Sequence, residues 1–328
     1  METNTRAVFE YLRLSVTDRC NLRCVYCMPA EGVPKLKHSQ VMRYEEMLTI
    51  VRAAVAEGVF RVRVTGGEPL VRRGLTSFIA ELARIPGVID LALTTNGILL
   101  ADRAYELANA GLKRINVSLD SLRPERFRAF TRGGEIGAVL RGIDSAIEAG
   151  LSPVKINVVL IPGENDDELF DFAALAMDKS IHVRFIERMP FSIAQPTSPI
   201  RQSKSDKEFV SQEYLMERLA SRFSLTPAQE SAAGGPAQMF SINGGSGRIG
   251  FISSRTNPFC RRCNRLRLTA SGTLLPCLDA DHGIDVHNLS KKEVGSVIRR
   301  LAEEKLAIGK SCPEFRRAGC QSLSDIGG

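Results

Sequence analysis

Between residues 10 and 190 the chain repeats one pattern: a short run with apolar side chains at every second position, then a longer stretch whose apolar positions recur every three or four residues. The runs are YLRLSV (11–16), FRVRVT (60–65), IDLALTT (89–95), RINVSL (114–119), VKINVVL (154–160) and IHVRFIE (181–187). The stretches between them cover 45–57, 75–84, 102–110, 135–149 and 166–178. Period two predicts strands and period 3.6 predicts amphipathic helices. Their alternation at this spacing predicts six parallel βα units.

Each run divides into two faces. The apolar face carries Leu12, Leu14 and Val16; Val62 and Val64; Leu91 and Leu93; Ile115, Val117 and Leu119; Val154, Ile156 and Val158; and Val183 and Phe185. Such a surface suits packing under the outer helices. The other face carries Arg13, Ser15 and Thr17; Arg61, Arg63 and Thr65; Thr94 and Asn96; Asn116, Ser118 and Asp120; Lys155 and Asn157; and His182 and Arg184. A complete eight-stranded barrel fills its interior with bulky branched residues, which this face does not offer. An open sheet with a wet polar face is common for antiparallel strands, whereas parallel sheets are covered on both sides. The pattern therefore predicts an α/β protein built on an incomplete (β/α)6 TIM-like barrel, with a polar, cationic lumen suited to an anionic ligand.

After residue 189 the rhythm breaks. Residues 190–208, rich in Pro, Ser and Gln, predict a linker or long surface loop. Residues 209–328 predict a smaller α+β segment closing the barrel mouth, with helices over 210–223 and 291–305, a glycine-rich patch at 243–250, and strands at 249–253 and 266–269. The expected domains are thus the barrel over 1–189 and a C-terminal region over 209–328.

Composition narrows the class. A chain of 328 residues, 44% hydrophobic and 25% charged, can bury such a core. No apolar run approaches the roughly 20 residues of a membrane helix, and METNTRAVFEYLR lacks the apolar stretch of a secretion signal. The expectation is a cytoplasmic protein away from membranes, where eight Cys point to metal or redox chemistry rather than disulfides. A net charge of +7 suggests an anionic partner. Nucleic acid fits poorly, because aromatic residues make up only 6%, Trp is absent and the distinctive arginines lie inside strands.

Six of the cysteines fall into two groups of three. Cys20, Cys24 and Cys27 form C-x3-C-x2-C just after the first run, at the strand end where barrel active sites lie. A cubane 4Fe-4S cluster normally takes four Cys, so three leave one iron open, as catalytic metal sites keep a vacant position. A zinc loop short of a ligand is the alternative. Cys260, Cys263 and Cys277 form C-x2-C-x13-C; a zinc ribbon would need a fourth ligand, for which His282 and His287 are candidates. Gly66-Gly67-Glu68-Pro69 follows the second run and offers backbone that a ligand can approach closely. Arg265 and Arg267 share one face of a strand and present forks suited to phosphate, a solvated basic face being the plainer reading. Cys312 and Cys320 are extra thiols.

The three-Cys run with Tyr26 before its last Cys, joined to GGEP, resembles the radical S-adenosylmethionine (SAM) superfamily. LRLSVTDRCNLRCVYCMP, VRVTGGEPLVRR, LTTNG, RINVSLD, VKINVV, VRFIERMP, GRIGFIS and FCRRCNRLRLTASGTLLPCL resemble, in order, segments of the GTP 3',8-cyclase family, the A proteins of molybdenum cofactor biosynthesis. The resemblance implies that Cys20, Cys24 and Cys27 hold a 4Fe-4S cluster whose open iron takes SAM, with Tyr26, Gly67, Ser118 and Met189 as SAM contacts. Reductive cleavage of SAM would give methionine and a 5'-deoxyadenosyl radical. That radical would take hydrogen from C3' of GTP, and the carbon radical would add to C8, forming 3',8-cyclo-7,8-dihydro-GTP.

The resemblance also implies a second 4Fe-4S cluster on Cys260, Cys263 and Cys277, facing guanine through its open iron. Its further implications are GTP contacts from Arg13, Arg63, Thr94, Lys155, Arg265, Leu266 and Arg267, and a terminal Gly327-Gly328 that enters the site. Arg184 shares the cationic lumen and is expected to touch substrate or to aid radical quenching. The implied partners are an electron donor such as flavodoxin or ferredoxin and a downstream cyclic pyranopterin monophosphate synthase; the family also admits a homodimer. Another radical SAM enzyme with an auxiliary-cluster domain is the rival reading, but such enzymes usually carry more C-terminal Cys and have no need of the Arg265/Arg267 pair.

Overall fold

All six expected parallel strands form in the computed structural model, which describes residues 9–189, 210–228, 235–254, 256–278, 280 and 282–311. They are β1 (Tyr11–Ser15), β2 (Arg61–Thr65), β3 (Asp90–Thr95), β4 (Arg114–Ser118), β5 (Val154–Leu160) and β6 (Ile181–Glu187). Between them lie α1 (Tyr44–Ala56), α2 (Leu75–Ala83), α3 (Ala104–Asn109), α4 (Pro124–Thr131), α5 (Ile136–Glu148) and α6 (Leu169–Asp178). The apolar strand faces are buried, and they join Phe78, Ile79 and Leu82 of α2 and Val139 and Ile143 of α5 in one core. Of these elements only α4 went unannounced by the pattern.

The C-terminal region supplies α7 (Gln212–Ala220), β7 (Leu225–Pro227), β8 (Gln238–Ile242), β9 (Arg248–Ile252), β10 (Arg265–Leu268), β11 (Thr273–Leu275), β12 (Ile284–Asp285) and α8 (Lys291–Ser311). Its strands join the same sheet, in the order β12-β11-β10-β1-β2-β3-β4-β5-β6-β9-β8-β7. β10 pairs parallel with β1 and β9 pairs parallel with β6, while the flanking strands run antiparallel. The sequence suggested a segment set over the mouth; the described C-terminal strands instead extend both edges. The reason is physical: β1 and β6 would otherwise present unpaired backbone groups. Leu266 and Leu268 of β10 and Ile249 and Phe251 of β9 then carry the apolar face onward into the same core.

α8 lies against α1, with Val294, Ile298 and Leu301 buried and Arg299 paired with Glu57. Among the described residues no helix is long and apolar enough to cross a membrane. Cys312, Cys320, Gly327, Gly328 and the segment 190–208 lie outside the described residues.

Candidate functional site

The loop leaving β1 carries Cys20, Cys24 and Cys27, all half-buried. Its last turn closes where the Cys27 and Met28 N–H groups donate to the Cys24 carbonyl at 2.9 and 3.1 Å. α4 braces this loop from outside. The Arg23 and Val25 N–H groups donate to the Thr131 and Phe130 carbonyls at 3.1 and 2.9 Å. Arg132, at φ 53° just past the helix, donates from its guanidinium to the Arg23 and Met28 carbonyls, each at 2.9 Å.

On the other side the loop is held by the chain leaving β2. The Gly67 N–H donates to the Thr17 carbonyl at 2.7 Å and the Glu68 N–H to the Arg19 carbonyl at 2.8 Å. A Cβ on Gly67 would stand 2.4 Å from the Arg19 oxygen, so only glycine fits. With its N–H engaged, Gly67 can meet a ligand only through its carbonyl. The fully buried Glu68 carboxylate accepts from the Leu70 N–H (2.9 Å), the Thr95 hydroxyl (2.8 Å) and the Asn96 N–H (2.7 Å), and burial pushes its pKa up to about 7. The Asn96 side-chain amide in turn donates to Asn21 Oδ1 at 2.8 Å and lies 3.8 Å from Cys20 Sγ.

Tyr26 is anchored by its hydroxyl, which donates to Asp120 Oδ2 at 2.6 Å; Asp120 Oδ1 accepts the Val159 N–H at 2.8 Å. Burial raises Asp120 to about 6 and moves the Tyr26 phenol well above its ordinary range. The Tyr26 ring, not its hydroxyl, is therefore left for a ligand. Ser118 ends β4 level with Asn157 of β5, and half-buried Met189 lies just past β6. Tyr26, Gly67, Ser118 and Met189 thus all stand at the carboxyl ends of strands. Glu68, Asn96, Asp120 and Arg132 support the loop; the sequence placed Glu68 in the Gly-Gly-Glu-Pro turn and Asn96 and Asp120 on the polar strand face without this role, and did not mark Arg132, because the contacts that define the role join residues distant along the chain.

The donor set suits an iron-sulfur cluster. Burial, with the neighbouring Cys27, Asp120 and Cys20, pushes the Cys24 thiol well up, and burial also raises Cys20. Thiolates gathered there call for a compensating positive charge, which a metal supplies. Among the described residues no three such side chains converge as ligands of a single ion. A cubane asks for something else, since each Cys binds a different iron.

The polar strand faces build a cationic surface. In register, Arg267, Arg13 and Arg63 form one row across β10, β1 and β2. Asn116, Lys155, His182 and Arg248 form another across β4, β5, β6 and β9. Burial, then Arg184, Arg114 and Arg63, depresses Lys155 to about 6; burial, then Lys155, Arg248 and Arg184, lowers His182 to about 4. Burial and neighbouring cations bring Arg184 to about 9 and Arg267 to about 10, and lower Arg13 and Arg63. The acid that counters Lys155 and Arg63 is Asp90, itself held by Arg114 through a 2.7 Å bond from Nε.

Arg184 donates from Nη2 to Asn116 Oδ1 (2.7 Å) and Asn157 Oδ1 (2.6 Å). The buried atoms Arg184 Nε, Arg63 Nε and Thr94 Oγ1 have no hydrogen-bond partner among the described residues. In a flat sheet, six strand spacings would put Arg184 about 29 Å from Arg265. Yet the charge of Arg265 is among those that depress Arg184. Leu266 differs from the other expected GTP contacts: its side chain is fully buried in the core, which leaves only its backbone for a ligand.

Cys260, Cys263 and Cys277 are half-buried at the opposite end of the strands. A tight turn over Cys260–Arg262, with the Cys263 N–H donating to the Cys260 carbonyl at 3.1 Å, leads into β10. β11 returns antiparallel and delivers Cys277 to the same end. Because β10 runs parallel to β1, this group is separated from the Cys20 loop by the length of five strand residues, roughly 17 Å. His282 faces Glu304 at 3.5 Å and His287 faces Glu46 at 3.6 Å, so each candidate fourth ligand already meets a carboxylate. Buried Lys305 of α8 donates to Cys263 Sγ (3.3 Å) and to the carbonyls of Arg265 (3.2 Å) and Pro276 (2.5 Å). Burial alone would raise the Cys263 thiol, but Lys305 and Arg265 outweigh it and hold it below its ordinary value.

Residues 14–176 match the radical SAM superfamily, and residues 181–310 match the molybdenum cofactor synthesis C family. The fold resembles Streptococcus suis SuiB bound to its precursor peptide SuiA (TM-score 0.60, 15% identity, 98% of this chain and 72% of that one). It also resembles anSMEcpe with bound AdoMet (TM-score 0.56, 15% identity, 97% of this chain and 88% of that one). The α/β architecture is thus a radical SAM fold. At closer range, the chain is 48% identical to the GTP 3',8-cyclase of Moorella thermoacetica over 100% of both chains, and 49% identical to that of Alkaliphilus oremlandii over 97% of both. The chain belongs to the GTP 3',8-cyclase family.

Proposed function

We propose that the chain converts GTP to 3',8-cyclo-7,8-dihydro-GTP, the first step of molybdenum cofactor biosynthesis, using SAM and two 4Fe-4S clusters. The observation that carries this reading is a cationic surface strung between two three-cysteine groups at opposite strand ends. When bound, the cluster and SAM at the Cys20, Cys24 and Cys27 loop supply a 5'-deoxyadenosyl radical. The protein's own part is to place GTP. Arg13, Arg63, Lys155, Arg184, Arg265 and Arg267 surround the triphosphate, whose charge relieves their mutual repulsion. Arg63 Nε, Arg184 Nε and Thr94 Oγ1 gain the partners they lack. Cys260, Cys263 and Cys277 hold the second cluster at the guanine end.

The influence of Arg265 on Arg184 supports a sheet curved into an incomplete barrel, with these cations lining its lumen. Tyr26, Gly67, Ser118 and Met189 serve SAM at the carboxyl ends of the strands. An electron donor such as flavodoxin or ferredoxin and a synthase that accepts the cyclised nucleotide complete the scheme by family likeness. The test is anaerobic incubation of cluster-loaded protein with SAM, dithionite and either GTP or ATP. GTP, and not ATP, should stimulate 5'-deoxyadenosine formation. Equal stimulation by both, or by neither, would reject GTP as the substrate.

A further inference from the structure

Lys305 is an unusual lysine for its place in the chain. It sits well along α8, whose neighbouring Glu303 and Leu306 are exposed, yet its own side chain is buried. An ammonium has three donors and no acceptor, and here three partners receive them: Cys263 Sγ, the Arg265 carbonyl and the Pro276 carbonyl. Its Nζ also lies 5.8 Å from the centre of the Phe9 ring. Two of the three acceptors bracket the entry to β10, and the third immediately precedes Cys277. One side chain therefore ties the C-x2-C turn to the returning chain that brings the third cysteine.

Neutral acceptors alone compensate a buried ammonium poorly, because removing a charge from water is costly unless an opposite charge meets it. Among the described residues no carboxylate lies within ion-pair distance of Lys305; neighbouring Glu304 instead meets Arg300 and His282. A cubane held by three thiolates carries net negative charge in both its oxidised and reduced states. We propose that Lys305 is the positioning residue of the C-terminal three-cysteine site: it clamps Cys263 to the Pro276–Cys277 turn and sets a fixed positive charge against the cluster. This rests on the second-cluster reading above.

The experiment isolates that cluster in a C20S/C24S/C27S background, reconstituted anaerobically, and compares it with the same chain carrying K305M or K305Q. The background should retain about four irons per chain. K305M, which keeps the apolar stem but no donor, should at least halve the iron. K305Q keeps amide donors for the two carbonyls without the charge. It should hold its iron while the midpoint potential, followed by redox titration of the cluster's electron paramagnetic resonance signal, moves to a lower value, since a nearby positive charge favours the reduced state. If K305M fails to fold, as its melting curve would show, K305Q decides the matter. Iron content and potential equal to the background in both variants overturn the role of Lys305 alone. A background that binds no iron overturns the second cluster and this role with it.

Discussion

Lys155 lies on β5 under the charges of Arg184, Arg114 and Arg63, with Asp90 the opposing acid, and its pKa falls to about 6. Between about 6 and the ordinary lysine value of 10.5 the unfolded chain holds a proton there that the folded chain lacks. This residue's contribution to stability therefore rises with pH across that window. A triphosphate bound against this face, as proposed, would act in the opposite sense, favouring the ammonium. GTP binding at pH 7.5 should thus take up close to one proton, roughly the full occupancy change of a single group. Titration calorimetry in buffers of different ionisation enthalpy reads this directly, and K155M should abolish it. Affinity for GTP should weaken as pH rises above about 6. A wild-type protein with no net proton uptake would show that Lys155 is not beside the phosphates.

At the scale of elements, the N-terminal cysteine loop is shaped by what abuts it. Gly67→Ala places a methyl group against the Arg19 carbonyl and must displace the segment leading to Cys20. Iron content after reconstitution should fall from about eight toward four per chain, the share of one cubane; an unchanged content would count against the contact. Glu68→Ala leaves the Leu70 N–H, the Thr95 hydroxyl and the Asn96 N–H without their acceptor. That should cost about 3 kcal/mol, measurable by chemical denaturation. Elements with strict periodicity were legible in the sequence: VKINVVL and IHVRFIE became β5 and β6 without a change of boundary. α4 was not, because PERFRAFT offers only Phe127 and Phe130 as apolar anchors among its charges. β11 and β12 are too short to establish a period. The cysteine groups and the cations of the polar strand face could be read from local spacing. Asp120 beneath Tyr26 and Lys305 beneath Cys263 could not, since these contacts join residues 94 and 42 positions apart.

Across the whole molecule, the strands hold the two cysteine groups apart, and the proposed function gives each group its own part of the work. Replacing Cys260, Cys263 and Cys277 with Ser should abolish cyclisation while reductive cleavage of SAM survives; the same change at Cys20, Cys24 and Cys27 should abolish both. Chromatographic assay of 5'-deoxyadenosine and cyclised nucleotide separates the outcomes, and equal loss of SAM cleavage in both variants would refute the division. That the groups occupy opposite ends could not be read from sequence, because it depends on β10 finding β1 and on β11 turning back. The pairing of β10 with β1 also bears on synthesis. Glu10 and the Asn264 that bonds it are 254 positions apart. At about 5–20 residues per second, a ribosome needs on the order of ten seconds to a minute to cover that distance. Throughout that interval one side of β1 is an open strand edge, a template for association with another nascent chain. The last third of the polypeptide therefore acts as the protecting strand for the first, and a premature stop before β10 should yield aggregates rather than a working half.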